Sequence, residues 1–351
     1  MRKMKLAAAI ALALGLPVAA HAAPVLFSPQ GNGTVIDASG MDWSVTSAVA
    51  VGGTSAIAQS IANGGGAGGT FTLLTHARLV ATTAENGDDT TPGGLNGPSR
   101  TFEITITAAF QERVTSVDTS TGTAHFATTG TGLLQMFYDP SHNSDPLTGH
   151  GYNDGTLILQ GDLVPTGVQG QFQVTNSTPV RLDQFPTNSP GSDNYTGQQT
   201  VSGSGSNDPI PVDHLTQDSA FFVSQLATFG IRFANISQSL PFTSQQPSDC
   251  FTNKPSTTGG ADTPVGGTTS GAQQCALFHV NGTYAANSPD ANGGYVPVTG
   301  AVNGLFGSGP DFTFQTDFNS SLSRVPEPGT LALLGLGLGV VGWTIRRSKS
   351  A

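Results

Sequence analysis

Apolar and polar residues alternate with a period of two along several separated stretches of this chain. From Thr70 to Ala81 the positions Phe71, Leu73, Thr75, Ala77 and Leu79 share one face. From Thr101 to Phe110 one face carries Phe102, Ile104, Ile106 and Ala108, and the other Glu103, Thr105 and Thr107. Leu133–Tyr138, Gly155–Val164, Gly170–Thr175 and Phe221–Phe233 read the same way, as does Asp311–Leu322 with Phe312, Phe314, Thr316 and Phe318 in phase. Such alternation marks strands with one buried face. Turn-rich loops separate them at Asn63–Gly69, Glu85–Ser99, Thr187–Pro211 and Phe251–Gln274. Ala48–Ala62, rich in small residues with Ile57 and Ile61 four apart, is the one expected helix. No unit of 20–50 residues repeats, which speaks against a propeller or solenoid. The pattern predicts an all-β chain, an antiparallel β-sandwich or jelly-roll-like ectodomain. One domain over residues 23–324 is expected, two packed sandwiches split near 187–211 being the other arrangement.

Both ends depart from this pattern. Residues 1–22 read as a secretory signal peptide: Arg2, Lys3 and Lys5 precede the apolar run Leu6–Ala20, and Ala20-His21-Ala22 offers small residues to a signal peptidase. Cleavage is expected between Ala22 and Ala23. At the other end Gly329–Ile345 holds no charge, so a transmembrane helix over 329–345 is predicted. At about 1.5 Å per residue it spans roughly 25 Å, slightly short of a bilayer core, and Arg346, Arg347 and Lys349 can snorkel to close the gap. Before it, Pro326 and Pro328 flank Glu327; the prolines cannot continue the helix and hold an extended segment at the membrane face.

Composition changes the picture in two ways. Gly (46) and Pro (22) fill about a fifth of the 351 residues while charged residues make up only 10%, which excludes a coiled coil or helical bundle. Once the terminal cationic clusters are set aside, residues 23–325 keep 7 of the 13 basic residues and 22 of the 23 acidic ones, so 7 − 22 = −15. A nucleic-acid binder needs the opposite balance. The two cysteines, Cys250 and Cys275, lie on the exported side, where a disulfide stapling the loop between them is the default reading.

Motifs for chemistry are sparse. Gly64, Gly66 and Gly69 match a dinucleotide-type glycine spacing but lead into a strand, leaving no helix N-terminus for a phosphate. No nucleophile elbow, zinc-protease pair or phosphate-binding loop occurs, and the chain is expected not to be an enzyme. The densest polar cluster is the loop with Asp139, His142, Asp145, His150 and Asp154, whose oxygens Asp139, Asp145 and Asp154 are a candidate Ca²⁺ set without EF-hand spacing. Trp43, Tyr138, Tyr152 and Tyr195 are candidate stacking platforms for sugar rings, although such residues are more often core or loop anchors.

Pro326-Glu327-Pro328, one apolar helix and a short Arg-rich tail over residues 325–349 resemble the PEP-CTERM sorting signal. The resemblance implies an exported protein of a Gram-negative bacterium, held transiently in the inner membrane and processed by an exosortase. The body is similar to flocculation-associated PEP-CTERM proteins in Gly31–Thr34, Met41–Val45 running into Ala48–Gly53, Phe71–Leu74, Gly132–Pro140, Tyr152–Leu159 and Phe312–Phe318. That similarity implies a cell-surface or matrix protein acting in flocculation or a biofilm by contact with exopolysaccharide. A carbohydrate-active enzyme on the same polymer is the alternative, requiring paired carboxyls in a cleft. Ice binding, a label the tail also carries, would need Thr-x-Thr ladders that do not recur.

Overall fold

A computed structural model of the protein describes residues 24–144, 151–164, 167–181, 199–235 and 312–325. In chain order these hold β1 (Leu26–Phe27), β2 (Ile36–Asp37), β3 (Gly40–Trp43), β4 (Thr46–Val51), α1 (Gly53–Ala62), β5 (Thr70–Thr83), β6 (Glu103–Asp118) and β7 (Thr123–Asp139). They continue with β8 (Thr156–Leu163), β9 (Gln169–Arg181), β10 (Gln199–Asn207), β11 (Ile210–Gln217), β12 (Leu226–Asn235) and β13 (Phe312–Arg324). The predicted strands are present, several of them longer than the alternation suggested, but the one expected from Phe221 begins only at Leu226, residues 221–225 forming a connection. Residues 48–51 belong to β4, and the helix expected from Ala48 begins only at Gly53. Gln199–Asn207, read as loop, is strand β10.

The sheet closes on itself. β4 pairs with β5, β5 with β6, β6 with β7, β7 with β8, β8 with β11, β11 with β12, β12 with β13, and β13 returns to β4, every pair antiparallel. The remaining strands extend these staves. β3 and β4 pair successively along both β5 and β13, so residues 40–51 act as one stave interrupted at Ser44–Val45. In the same way β9 continues β8 along β7, and β10 leads into β11 along β12. The result is an eight-stave, up-and-down barrel in which neighbours in sequence are neighbours in space. The sandwich or jelly-roll expectation is therefore corrected. Alternation fixes one buried face per strand, but it does not say whether that face meets a second sheet or the far wall of its own. β9 and β10, on either side of the proposed sandwich boundary, pair with each other, so no boundary falls there.

The lumen is packed. Trp43 stacks on Phe318 at 5.6 Å, Phe318 meets Phe233 at 5.4 Å, and Phe233 meets Phe110 at 5.7 Å. β6 and β12 are diametrically opposed staves, so the Phe110–Phe233 contact spans the interior, as side chains can in an eight-stranded barrel. Outward positions such as Thr228, Arg232, Asn319 and Ser321 are polar. This is the reverse of the lipid-facing apolar band of a transmembrane barrel.

The two ends of the barrel differ. One carries α1, the Thr119–Gly122 turn and the start of β13. At the other, β13 finishes beside the start of β12, and the connections 84–102, 140–155 and 218–225 cluster there with the β1–β2 hairpin. Phe27 and Phe222, 4.9 Å apart, plug this second end under the hairpin. Among the described residues no helix is long and apolar enough to cross a membrane, and the candidate span 329–345 lies outside them. Cys250 and Cys275 also lie outside, and no disulfide occurs among the described residues.

Candidate functional site

The polar loop singled out from the sequence connects β7 to β8 at the end where β13 finishes, and it folds back over the barrel wall. Its anchor is Glu103 at the start of β6, fully buried and the direct strand partner of Asp139. Glu103 Oε1 accepts the Ser144 N–H at 2.8 Å and Oε2 the Ser144 hydroxyl at 2.5 Å. Arg100 Nη1 lies 3.6 Å from Oε2, while Arg100 Nη2 donates to the His142 carbonyl at 2.5 Å. Burial pushes the Glu103 carboxyl above its ordinary range; the Ser144 bonds and the Arg100 charge oppose this, and Asp139 adds to it. His142 takes a left-handed backbone with φ 43° where the chain turns over Arg100.

The return half of the loop is fixed as tightly. Thr105 Oγ1 donates to the Tyr152 carbonyl at 2.8 Å, and the Tyr152 ring stacks on His76 of β5 at 3.9 Å. Asn143 Nδ2 donates to Asp154 Oδ2 at 2.9 Å. Gly155 must lack a side chain, since a Cβ there would sit 2.3 Å from the Tyr138 carbonyl oxygen. Replacing Glu103 by alanine strands the Ser144 donors and Arg100 and is expected to cost about 2 kcal/mol, read as a lower urea midpoint.

Asp139 and Asp154 thus lie in the same β7–β8 connection, whose two described ends are joined by the Asn143–Asp154 bond; Asp145 lies outside the described residues. Asp139 Oδ1 accepts the Ser141 N–H at 2.7 Å, while its Oδ2 and the Asn153 Oδ1 are buried without a hydrogen-bond partner. Hard oxygens of this kind suit a divalent cation. Among the described residues, however, no three His, Cys, Asp or Glu side chains converge to hold a metal ion. The arrangement of Glu103, Ser144 and Arg100 is one that fastens a loop.

Two of the four candidate aromatics are core anchors, the commoner of the two roles weighed for them. Trp43 is a core residue whose Nε1 donates to Ser320 Oγ at 2.9 Å, and Tyr152 is buried against His76. Tyr138 packs its ring on Phe221, 5.2 Å away, and Tyr195 lies outside the described residues. Sequence reading missed Glu103, Arg100 and His76. Nothing in the alternation told that the polar face of β5 to β7 would be roofed over.

On the outer wall, Asp317 of β13 is pushed up to about 6 by burial and by Asp42 of β3, which is itself raised by burial against a lowering backbone bond at Trp43. At the α1 end the Glu112 carboxyl is pushed up to about 7 by burial.

Ala22, Ala23, Pro326, Glu327 and Pro328 fall outside the described residues. Residues 324–348 match the PEP-CTERM protein-sorting motif. No curated protein and no solved structure matches the chain. The motif makes this an exported, exosortase-processed protein of the cell envelope, and it starts where β13 ends.

Proposed function

We propose that the protein is a non-enzymatic surface or matrix component that contributes to flocculation or biofilm cohesion by contacting exopolysaccharide. The signal peptide is cut between Ala22 and Ala23, residues 329–345 hold the chain in the inner membrane of a Gram-negative cell, and exosortase then acts at the Pro326-Glu327-Pro328 tail. The observation that carries this reading is the sorting motif joined directly to a barrel whose lumen is filled by its own aromatic side chains. With the interior occupied, binding falls to the polar outer wall and the loops. A rigid scaffold repeated many times along a matrix binds through weak contacts multiplied by valency. The acidic body, with 22 acidic against 7 basic residues over 23–325, favours contact through bridging divalent cations held at its surface.

The test is co-sedimentation of the exported protein with exopolysaccharide of the producing strain, in Ca²⁺ and in EDTA. Saturable binding lost in EDTA is the expected result. Binding that ignores EDTA removes the cation from the proposal, and no binding in either buffer removes direct glycan contact.

A further inference from the structure

The last stave of the barrel ends two residues before the sorting motif's first proline, with only Val325 between them. Arg324 still pairs with Leu226, and the Val325 N–H donates to the Gln225 carbonyl at 2.9 Å, so Val325 is held by the rim of the barrel. Pro326, Glu327 and Pro328 follow directly. Three residues of extended chain reach about 10 Å at most. Adjacent staves are themselves about 4.8 Å apart. An enzyme that grips Pro326–Pro328 therefore meets the loop that precedes β12 within the same grasp.

That loop is built to present a surface. Gln217 clamps it: its Nε2 donates to the Phe222 and Ser224 carbonyls at 3.1 and 3.0 Å, and its Oε1 accepts the Leu226 N–H at 2.9 Å. Phe221, Phe222 and Ser224 are buried, and the Val223 N–H is bonded to the Leu26 carbonyl of the hairpin. Between these fixed neighbours Val223 is turned outward, 50% exposed. The described residues hold four exposed large hydrophobics: Val35, Ile61, Val223 and Val325. Three of them, on the hairpin, the clamped loop and the end of β13, sit at the end where the sorting signal leaves; Ile61 alone is at the other.

We infer that this rim, centred on Val223 and Val325, is a docking surface for the exosortase that processes the tail, so that the enzyme reads the folded barrel end together with the Pro-Glu-Pro segment. The inference rests on the exosortase reading of the motif. The short tether argues for the enzyme as occupant: whatever binds the motif is brought to the rim by covalent geometry alone.

The experiment follows conversion of the full precursor to its processed form in the producing strain. Val223→Glu is expected to slow conversion at least five-fold with an unchanged urea midpoint, while Ile61→Glu at the opposite end converts at the wild-type rate. A flexible Gly/Ser linker of about twelve residues between Val325 and Pro326, spanning roughly 20 Å, should uncouple motif from rim. Precursors carrying it should then convert at one rate with or without Val223→Glu. Wild-type conversion of Val223→Glu, or the same defect behind the linker, would overturn the inference. So would Val223-dependent flotation of the processed protein on phosphatidylethanolamine–phosphatidylglycerol vesicles, which would assign the rim to the bilayer. Glu327→Ala is the separate check on the motif: if it converts normally, the exosortase reading fails whatever the rim does.

Discussion

Replacing Trp43 by alanine is expected to lower the unfolding free energy by about 3–5 kcal/mol, the range for removing a buried large aromatic. Three losses add at this position. The indole is 1% exposed and among the largest fully buried side chains, so its removal leaves a cavity beside Phe318, whose ring it stacks on. Its Nε1 is the donor to Ser320 Oγ, so that buried hydroxyl loses a partner. Trp43 also closes the barrel, because β3 bridges β5 and β13, and Ser320 lies on β13 across that seam. Trp43→Phe should recover most of the packing and leave only the loss of the hydrogen bond, about 1 kcal/mol. Urea unfolding of the exported protein followed by circular dichroism checks both. An alanine variant within 1 kcal/mol of wild type would mean that the seam is not closed as described.

The sequence made the strands of this barrel legible and its closure illegible, for a physical reason. Period-two alternation reports which side chains share a face, and Phe71 to Leu79 or Phe102 to Ala108 do face inward as read. Closure depends on pairing between β4 and β13, which lie at opposite ends of the chain and leave no local signature. The weakly patterned staves were missed for a related reason. β10 reads Gln-Thr-Val-Ser-Gly-Ser-Gly-Ser-Asn, which looks like a loop, yet it pairs with β9 along most of its length because the barrel supplies the partner. The tail was the most legible part, since its chemistry is linear. The polar loop was half legible. Asp139 and Asp154 mark it, but its hold on the barrel runs through Glu103, read as part of a polar strand face, and Arg100, because nothing local says that Ser144 and His142 fold over them.

His76 should control how the protein responds to acid. Its ring is fully buried, stacked on Tyr152, and neither nitrogen has a hydrogen-bond partner, so burial lowers its pKa to about 3 from the ordinary 6.5. The native state therefore keeps the imidazole neutral while the unfolded chain protonates it. The stability present above pH 6.5 is lost as pH falls toward 3, a loss of about 3 kcal/mol by pH 4. Glu112 has the opposite slope. Its carboxyl, raised to about 7, binds a proton in the native state before the unfolded chain does, so its contribution is full below pH 4.5 and disappears as pH rises toward 7. Glu112 is only partly buried at its surface, so solvent screening makes its contribution the smaller. In the wild type the two slopes partly cancel between pH 4 and 7. His76→Phe keeps the stack on Tyr152 and cannot titrate, so its stability relative to wild type should rise by about 3 kcal/mol between pH 7 and pH 4. Any overpacking from the larger ring is common to both pH values and drops out of that difference. Glu112→Gln should steepen the loss on acidification by removing the compensating group. Urea midpoints for the three proteins at pH 7, 5.5 and 4 check the pair. A His76→Phe advantage that stays constant across the series would show that His76 binds its proton as readily in the folded barrel as in the unfolded chain.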